Sequence, residues 1–217
     1  MDLQPFTPAE IRVLGALVEK QALTPDIYPL TLNALVSACN QLTSREPVMQ
    51  LTDVEICTAL DVLMARKLVA ERQFTGSRVA KYEHRLNYEW NIDGARLATL
   101  ALLLLRGPQT AAEIRSRAGR LYSFSDLAEV DTALNALADK YPPLVVKLAR
   151  QPGAREARWA SLLAGEICEA QPEENESGET ELASRVTALE AEVAELKAQV
   201  MALMTRQESG SVYRHIA

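Results

Sequence analysis

The chain has few cysteines, no long apolar run and no recognisable catalytic motif. Cys39, Cys57 and Cys168 are widely separated and form no metal-ligand spacing, and their odd number does not suggest a disulfide framework. Buried or incidental thiols in a reducing cytoplasm fit them better. The longest apolar run, Leu97 to Leu105, is about half what a membrane-spanning helix requires. Met1 to Glu10 lacks a basic run followed by an apolar stretch, so no secretory signal is expected. There is no glycine-rich phosphate loop, paired acid and base cluster or nucleophile elbow. His84 is expected as a core or interface residue, and His215 lies near the chain end. These absences predict a cytoplasmic, non-enzymatic protein with no cofactor, no metal and no membrane association.

What is present is pattern. Thr7-Pro8-Ala9-Glu10 supplies a cap hydroxyl, a first-turn proline and a glutamate that reaches back, which starts a helix carrying Ile11, Leu14, Gly15 and Val18. A second helix places Leu32, Leu35, Val36 and Cys39 on one face. Thr52-Asp53-Val54-Glu55 repeats the capping logic and opens a third, with Ile56, Ala59, Leu60, Leu63 and Met64 as its buried stripe. Beyond Lys67 the period becomes alternating, so Leu68 to Phe74 and Val79 to Leu86 read as a hairpin around Thr75-Gly76-Ser77. In the second strand Ala80, Tyr82, His84 and Leu86 share a face opposite Lys81, Glu83 and Arg85. Three helices followed by a hairpin is the winged-helix order.

The order recurs. Asp93 is placed to cap a helix carrying Leu97, Leu100, Ala101 and Leu104, which Gly107-Pro108 ends. Thr110-Ala111-Ala112-Glu113 is another capping box, and a third helix spans about 126 to 141 with Val130, Ala133, Leu134 and Leu137 inward. Leu144 to Ala149, the turn Gln151 to Ala154, and Arg155 to Leu162 form a second hairpin. Thr58 to Leu63 and Thr132 to Leu137 both fit T-A-L-x-x-L at the same place in the unit. The expected fold class is mainly α with small β-hairpins: winged-helix modules over 1–92 and 93–165, then a C-terminal coiled-coil helix. Trp90, Trp159 and Tyr82 are expected as packing residues and Cys39 as a structural one.

Over roughly residues 5 to 165 the chain resembles the YceH family (UPF0502) of uncharacterised bacterial proteins. The resemblance is carried by Glu19-Lys20, Thr24 to Leu30, Leu32-Asn33, Ala38 to Gln41, Ser44-Arg45 with Pro47-Val48, Ser77 to Val79, Lys81-Tyr82 with His84, and Leu103 to Thr110. It implies tandem winged helices and brings no established activity. Leu42 departs from the family pattern, which has a basic residue there.

The tail is acidic. Lys and Arg against Asp and Glu number 9 to 11 over 1–92, 10 to 7 over 93–165, and 4 to 11 over 166–217, within a net charge of −6. Residues 166–181 read as a solvated linker and 208–217 as a flexible terminus. Over 182–207, Leu182, Val186, Leu189, Val193, Leu196, Val200 and Leu203 alternate steps of four and three. Valine at every a position and leucine at every d position favour a parallel two-stranded coil, hence a homodimer. The flanking charges agree, pairing Arg185 with the partner's Glu190 and Glu192 with the partner's Lys197. A helix docking on its own domains is the alternative.

A DNA-reading winged helix presents Arg, Lys, Asn or Gln on its third helix. Here those faces carry Asp53, Glu55 and Asp61, and Asp126, Glu129, Asp131 and Asp139, which disfavours major-groove reading. The hairpins are basic instead: Arg72, Arg78, Lys81 and Arg85 in the first, Lys147, Arg150, Arg155 and Arg158 in the second. Glu83 and Glu156 interrupt these patches, and Arg115, Arg117 and Arg120 add charge nearby. Two partners therefore stay open: DNA, held through phosphates by the hairpins, or a protein, held by the modules as an interaction scaffold. The polar loop from Asn40 and Gln41 to Arg45 is either such a contact or a loop that bonds its own turns.

Overall fold

Threonine and glutamate three residues apart begin three of the helices in a computed structural model, which describes residues 5–74, 76, 78–165 and 197. Thr7 caps α1 (Pro8–Leu23) and Glu10 returns to the Thr7 amide. A short 3-10 turn, Pro25–Ile27, leads into β1 (Leu30–Thr31), and Thr31 caps α2 (Leu32–Cys39). Thr52 and Glu55 close the box on α3 (Asp53–Ala65), followed by β2 (Val69–Arg72) and β3 (Lys81–His84). Leu86 is not in the strand as its alternation predicts. It starts a short helix, α4 (Leu86–Glu89), and is fully buried there.

The second half repeats the plan with α5 (Gly94–Arg106), α6 (Ala111–Ala118), α7 (Leu127–Ala138), β4 (Val145–Lys147) and β5 (Trp159–Ser161). Thr110 and Glu113 complete the box on α6, and the Asp126 side chain caps α7. Asp93 occupies the cap position of α5 but makes no side-chain cap bond, because its carboxylate pairs with Arg96 at 2.7 Å. At the other end Gly107 adopts φ 71°, a conformation that costs glycine little, and donates its amide to Leu103 O.

Both sheets are antiparallel. The first has the order β1-β3-β2, with Val69 opposite His84, Arg72 opposite Lys81 and Leu30 opposite Tyr82. The second is the β4-β5 pair, with Val145 opposite Ser161 and Lys147 opposite Trp159. The two T-A-L-x-x-L segments occupy equivalent environments. Ala59, Leu60 and Leu63 are buried, as are Ala133, Leu134 and Leu137, while Thr58 and Thr132 each donate to the carbonyl four residues back. Leu68 N–H then bonds Leu63 O, and Leu144 N–H bonds Leu137 O, closing each third helix onto its hairpin.

The core is centred on α1 and α5. Arg12 to Glu19 of α1 and Ala98 to Leu105 of α5 are buried on every side, wider than the single stripes their periodicity suggests. Helices covered all round need no polar face: α1 packs on α2, α3 and α5, and α5 on α1, α6 and α7. At their crossing a Cβ added to Gly15 would lie 2.9 Å from Leu105 Cγ and 3.2 Å from Leu104 Cβ, so any side chain there would force Leu105 to shift. The chain divides into two compact units, Met1–Cys168 and Glu169–Ala217, and both helical repeats belong to the first. Within the second, Lys197 is described, helical and exposed. The linker 166–181, the coiled-coil positions Leu182, Val186, Leu189, Val193, Leu196, Val200 and Leu203, and the terminus 208–217 lie outside the described residues. Among the described residues, no helix is long and apolar enough to cross a membrane.

Candidate nucleic-acid interface

The hairpins place the eight basic residues in unequal electrostatic settings. Arg72, at the end of β2, faces Lys81 across the ladder and reaches diagonally to Glu83, with Nη2 2.8 Å from its carboxylate. Arg158, just before β5, donates to both carboxylate oxygens of Glu113 at 3.2 Å. Two of the eight are thus paired with carboxylates. Lys81, Arg85 and Lys147 lie 5.7, 5.1 and 5.7 Å from the rings of Phe74, Tyr88 and Trp159. Such contacts contribute roughly 0.5–1 kcal/mol at exposed sites and leave the positive charge intact. Arg78, Arg150 and Arg155 are exposed and form no ion pair among the described residues.

The carboxylates of the third helices also divide into two kinds. Glu55 accepts from the Thr52 amide and hydroxyl, which holds its pKa below the usual carboxylate range. Asp126 caps the Glu129 amide, and Glu129 accepts from the Tyr122 hydroxyl and from Ser125, so its pKa also falls. These three acids serve the helix starts. Asp53, Asp61, Asp131 and Asp139 are exposed, and none is ion-paired among the described residues.

Glu113 joins the second hairpin to α6. Burial raises its pKa, but the Thr110 amide and the guanidinium groups of Arg158 and Arg117 outweigh that effect and the net shift is downward. In the sequence Glu113 is recognisable only as a cap; its spacing of 45 residues from Arg158 conceals the ion pair. Both basic residues on α6 are also engaged. Arg115 donates to Ser125 O and Arg117 to Gln109 Oε1, at 3.1 and 2.9 Å.

The polar loop after α2 bonds inward. Asn40 exchanges two 2.8 Å hydrogen bonds with the Leu51 backbone. Arg45, with its side chain fully buried, binds both oxygens of Glu19 at 3.0 and 2.5 Å and also donates to Ala38 O and Gln41 Oε1. Arg12, equally buried, donates to Cys39 O and Pro47 O. Glu46 N–H bonds Leu105 O, so the loop also fastens the first helical repeat to the second. Of the two readings of this segment, the geometry favours a loop that bonds its own turns. Leu42, however, is 79% exposed at its tip.

The histidine and cysteine expected in the core are buried. His84 Nε2–H donates to Gln21 Oε1 at 2.6 Å, and burial pushes its pKa down to about 4, so the ring is neutral near pH 7. Burial likewise raises the Cys39 thiol to about 12, which keeps it protonated and unreactive. Trp159 is buried, and Trp90 packs edge-on against Phe6 at 6.4 Å.

Fold and surface together define a mixed helix-and-sheet protein with two repeats of one element order, joined through a common core and edged by basic hairpins. Residues 6–154 match the family described as "Protein of unknown function, DUF480", and the chain belongs to that family. It is 69% identical over 206 residues to a UPF0502 protein of Chromobacterium violaceum, covering 95% of this chain and 94% of that one. A UPF0502 protein of Janthinobacterium sp. is 50% identical over 206 residues, covering 91% and 86%. One from Shewanella piezotolerans is 46% identical over 215 residues, covering 94% and 99%. The family resemblance read from the sequence is therefore correct.

Proposed function

We propose that the chain is a non-enzymatic, cytoplasmic homodimer of two winged-helix modules, 1–92 and 93–165, that holds the phosphate backbone of DNA through its hairpins and serves a regulatory role. The observation that carries this reading is the division of charge. Among the described residues six hairpin cations are unpaired with carboxylates, while the outward faces of α3 and α7 present Asp53, Asp61 and Asp131. Hairpin contacts with phosphates position a protein without reading sequence, so the expected affinity is modest and falls steeply with salt. The heptad over 182–207 would bring four hairpins into one particle and so supply avidity. Titrating generic duplex DNA at several salt concentrations tests the proposal. Absence of binding even at low salt would sink it.

A second reading, a protein-interaction scaffold, draws on the same helices. Val54 and Leu127, near the starts of α3 and α7, are 75% and 36% exposed beside carboxylates. An apolar side chain within an acidic surface suits a basic, partly apolar peptide better than a phosphate backbone. Binding to cationic peptide without binding to DNA would select this reading.

A further inference from the structure

A second basic cluster lines a cavity of about 120 Å³ where the polar loop meets α5 and the end of α6. Arg106, Arg117 and Arg120 line it together with Ser44 and Glu19. We propose that this cavity binds a small tetrahedral oxyanion, a phosphate group carried free or on a small molecule, with Arg106 as its principal contact.

The carboxylate that lines the cavity, Glu19, and the neighbouring Glu113 are already committed. Both oxygens of Glu19 are held by Arg45, and one also lies 3.5 Å from Lys20. Glu113 accepts from the Thr110 amide and Arg158, leaving Arg117 a longer 3.4 Å approach. Glu46 makes no ion pair among the described residues, and neither do Arg106 and Arg120. Arg106 donates to Ser44 Oγ at 2.7 Å, one bond for a guanidinium with five N–H donors. Burial and the proximity of Arg117 and Arg45 lower its pKa, and Glu19 and Glu46 only partly oppose them.

The ends of α5 and α6 provide the ordinary reason for arginine here, since a helix C-terminus carries roughly −0.5 charge. Two such ends offset about one positive charge, whereas Arg106 and Arg120 bring two and Arg117 retains part of a third. Glu46, which also acts on Arg106, offsets about one more, so the balance stays positive by the share of Arg117 that Glu113 leaves. The cavity volume of about 120 Å³ leaves room for a phosphate group. Gln109 Oε1 fixes Arg117, and Ser44 fixes Arg106, so both guanidinium groups are oriented in advance.

Calorimetric titration of the full chain with inorganic phosphate, and separately with methyl phosphate, tests the site. One saturable site per chain is expected, with affinity reduced about tenfold by Arg106→Gln, the loss of one charged hydrogen-bonding group. Arg78→Gln and Arg155→Gln should leave that affinity unchanged, separating this site from the hairpins. Binding of both ligands supports a site open to phosphomonoesters, and binding of phosphate alone supports a closed site for the free ion. Failure to saturate by millimolar ligand overturns the proposal, as does equal binding by Arg106→Gln. If Arg106→Gln fails to fold, Arg120→Gln on the exposed rim carries the same test, with a severalfold loss expected and an unchanged affinity overturning the assignment.

Discussion

Gln109 and Trp159 exchange both backbone hydrogen bonds, Gln109 N–H to Trp159 O at 2.9 Å and Trp159 N–H to Gln109 O at 2.7 Å. That single bridge stands where Leu30 pairs with Tyr82 in the first repeat, just ahead of the second helix of its unit. Both repeats therefore tie the approach to their second helix onto the returning strand of the hairpin. The fully buried Gln109 side chain reinforces the tie by donating to Leu102 O while accepting from Arg117.

The Arg45 and Glu19 pair is predicted to matter through the charge left behind when one partner is removed. Arg45→Ala leaves the buried Glu19 with only the longer 3.5 Å contact to Lys20, which costs up to about 3–5 kcal/mol. Urea denaturation measures this. A loss below 1 kcal/mol would show that water reaches Glu19 without the arginine.

Gly15→Val tests the close approach of α1 and α5. Overpacking the Leu104 and Leu105 contact is expected to reduce stability by about 1–3 kcal/mol, despite the better helix propensity of valine. An unchanged or raised melting temperature would mean the two helices separate freely.

His84 predicts a pH dependence. Its folded pKa, about 4, lies below the ordinary 6.5, so the unfolded chain binds the proton more readily. Its neutral form is favoured by the fold, and the penalty develops as pH falls through 6.5 toward 4. Stability should drop by about 2 kcal/mol between pH 7 and pH 5, where carboxylates remain largely ionised. His84→Gln should flatten that slope; an identical slope in the variant would assign it to other groups.

Within the hairpins, ion pairing sets a ranking. Arg78→Gln and Arg155→Gln should each reduce the log–log salt slope of DNA binding by about 0.9, the value for one phosphate contact. Arg158→Gln, which removes a guanidinium already engaged by Glu113, should leave the slope nearly unchanged. Equal effects from all three would mean the Glu113 pair opens on binding.

Deleting residues 182–217 should convert a dimer into a monomer in light scattering, with the far-UV spectrum of the helical repeats retained. An unchanged mass would locate the self-association elsewhere or deny it.

The helix starts and the repeated order were legible because caps and buried stripes are local: Thr7 with Glu10, Thr52 with Glu55, Thr110 with Glu113, and the paired T-A-L-x-x-L segments all act within one or two turns. Family membership was legible for the same reason, in short runs of ordered residues. The candidate hairpin cations could be named, but not ranked, since Arg72 meets Glu83 only through strand register and Arg158 meets Glu113 only through the packing of β5 beside α6. Strands of one or two residues at Gln109 and Leu30 are too short to show a period. Local chemistry thus determined where elements begin and which faces are apolar. Tertiary packing decided which charges are spent, why α1 and α5 are covered on all sides, and which arginines converge on one cavity, because each depends on residues brought together from distant parts of the chain.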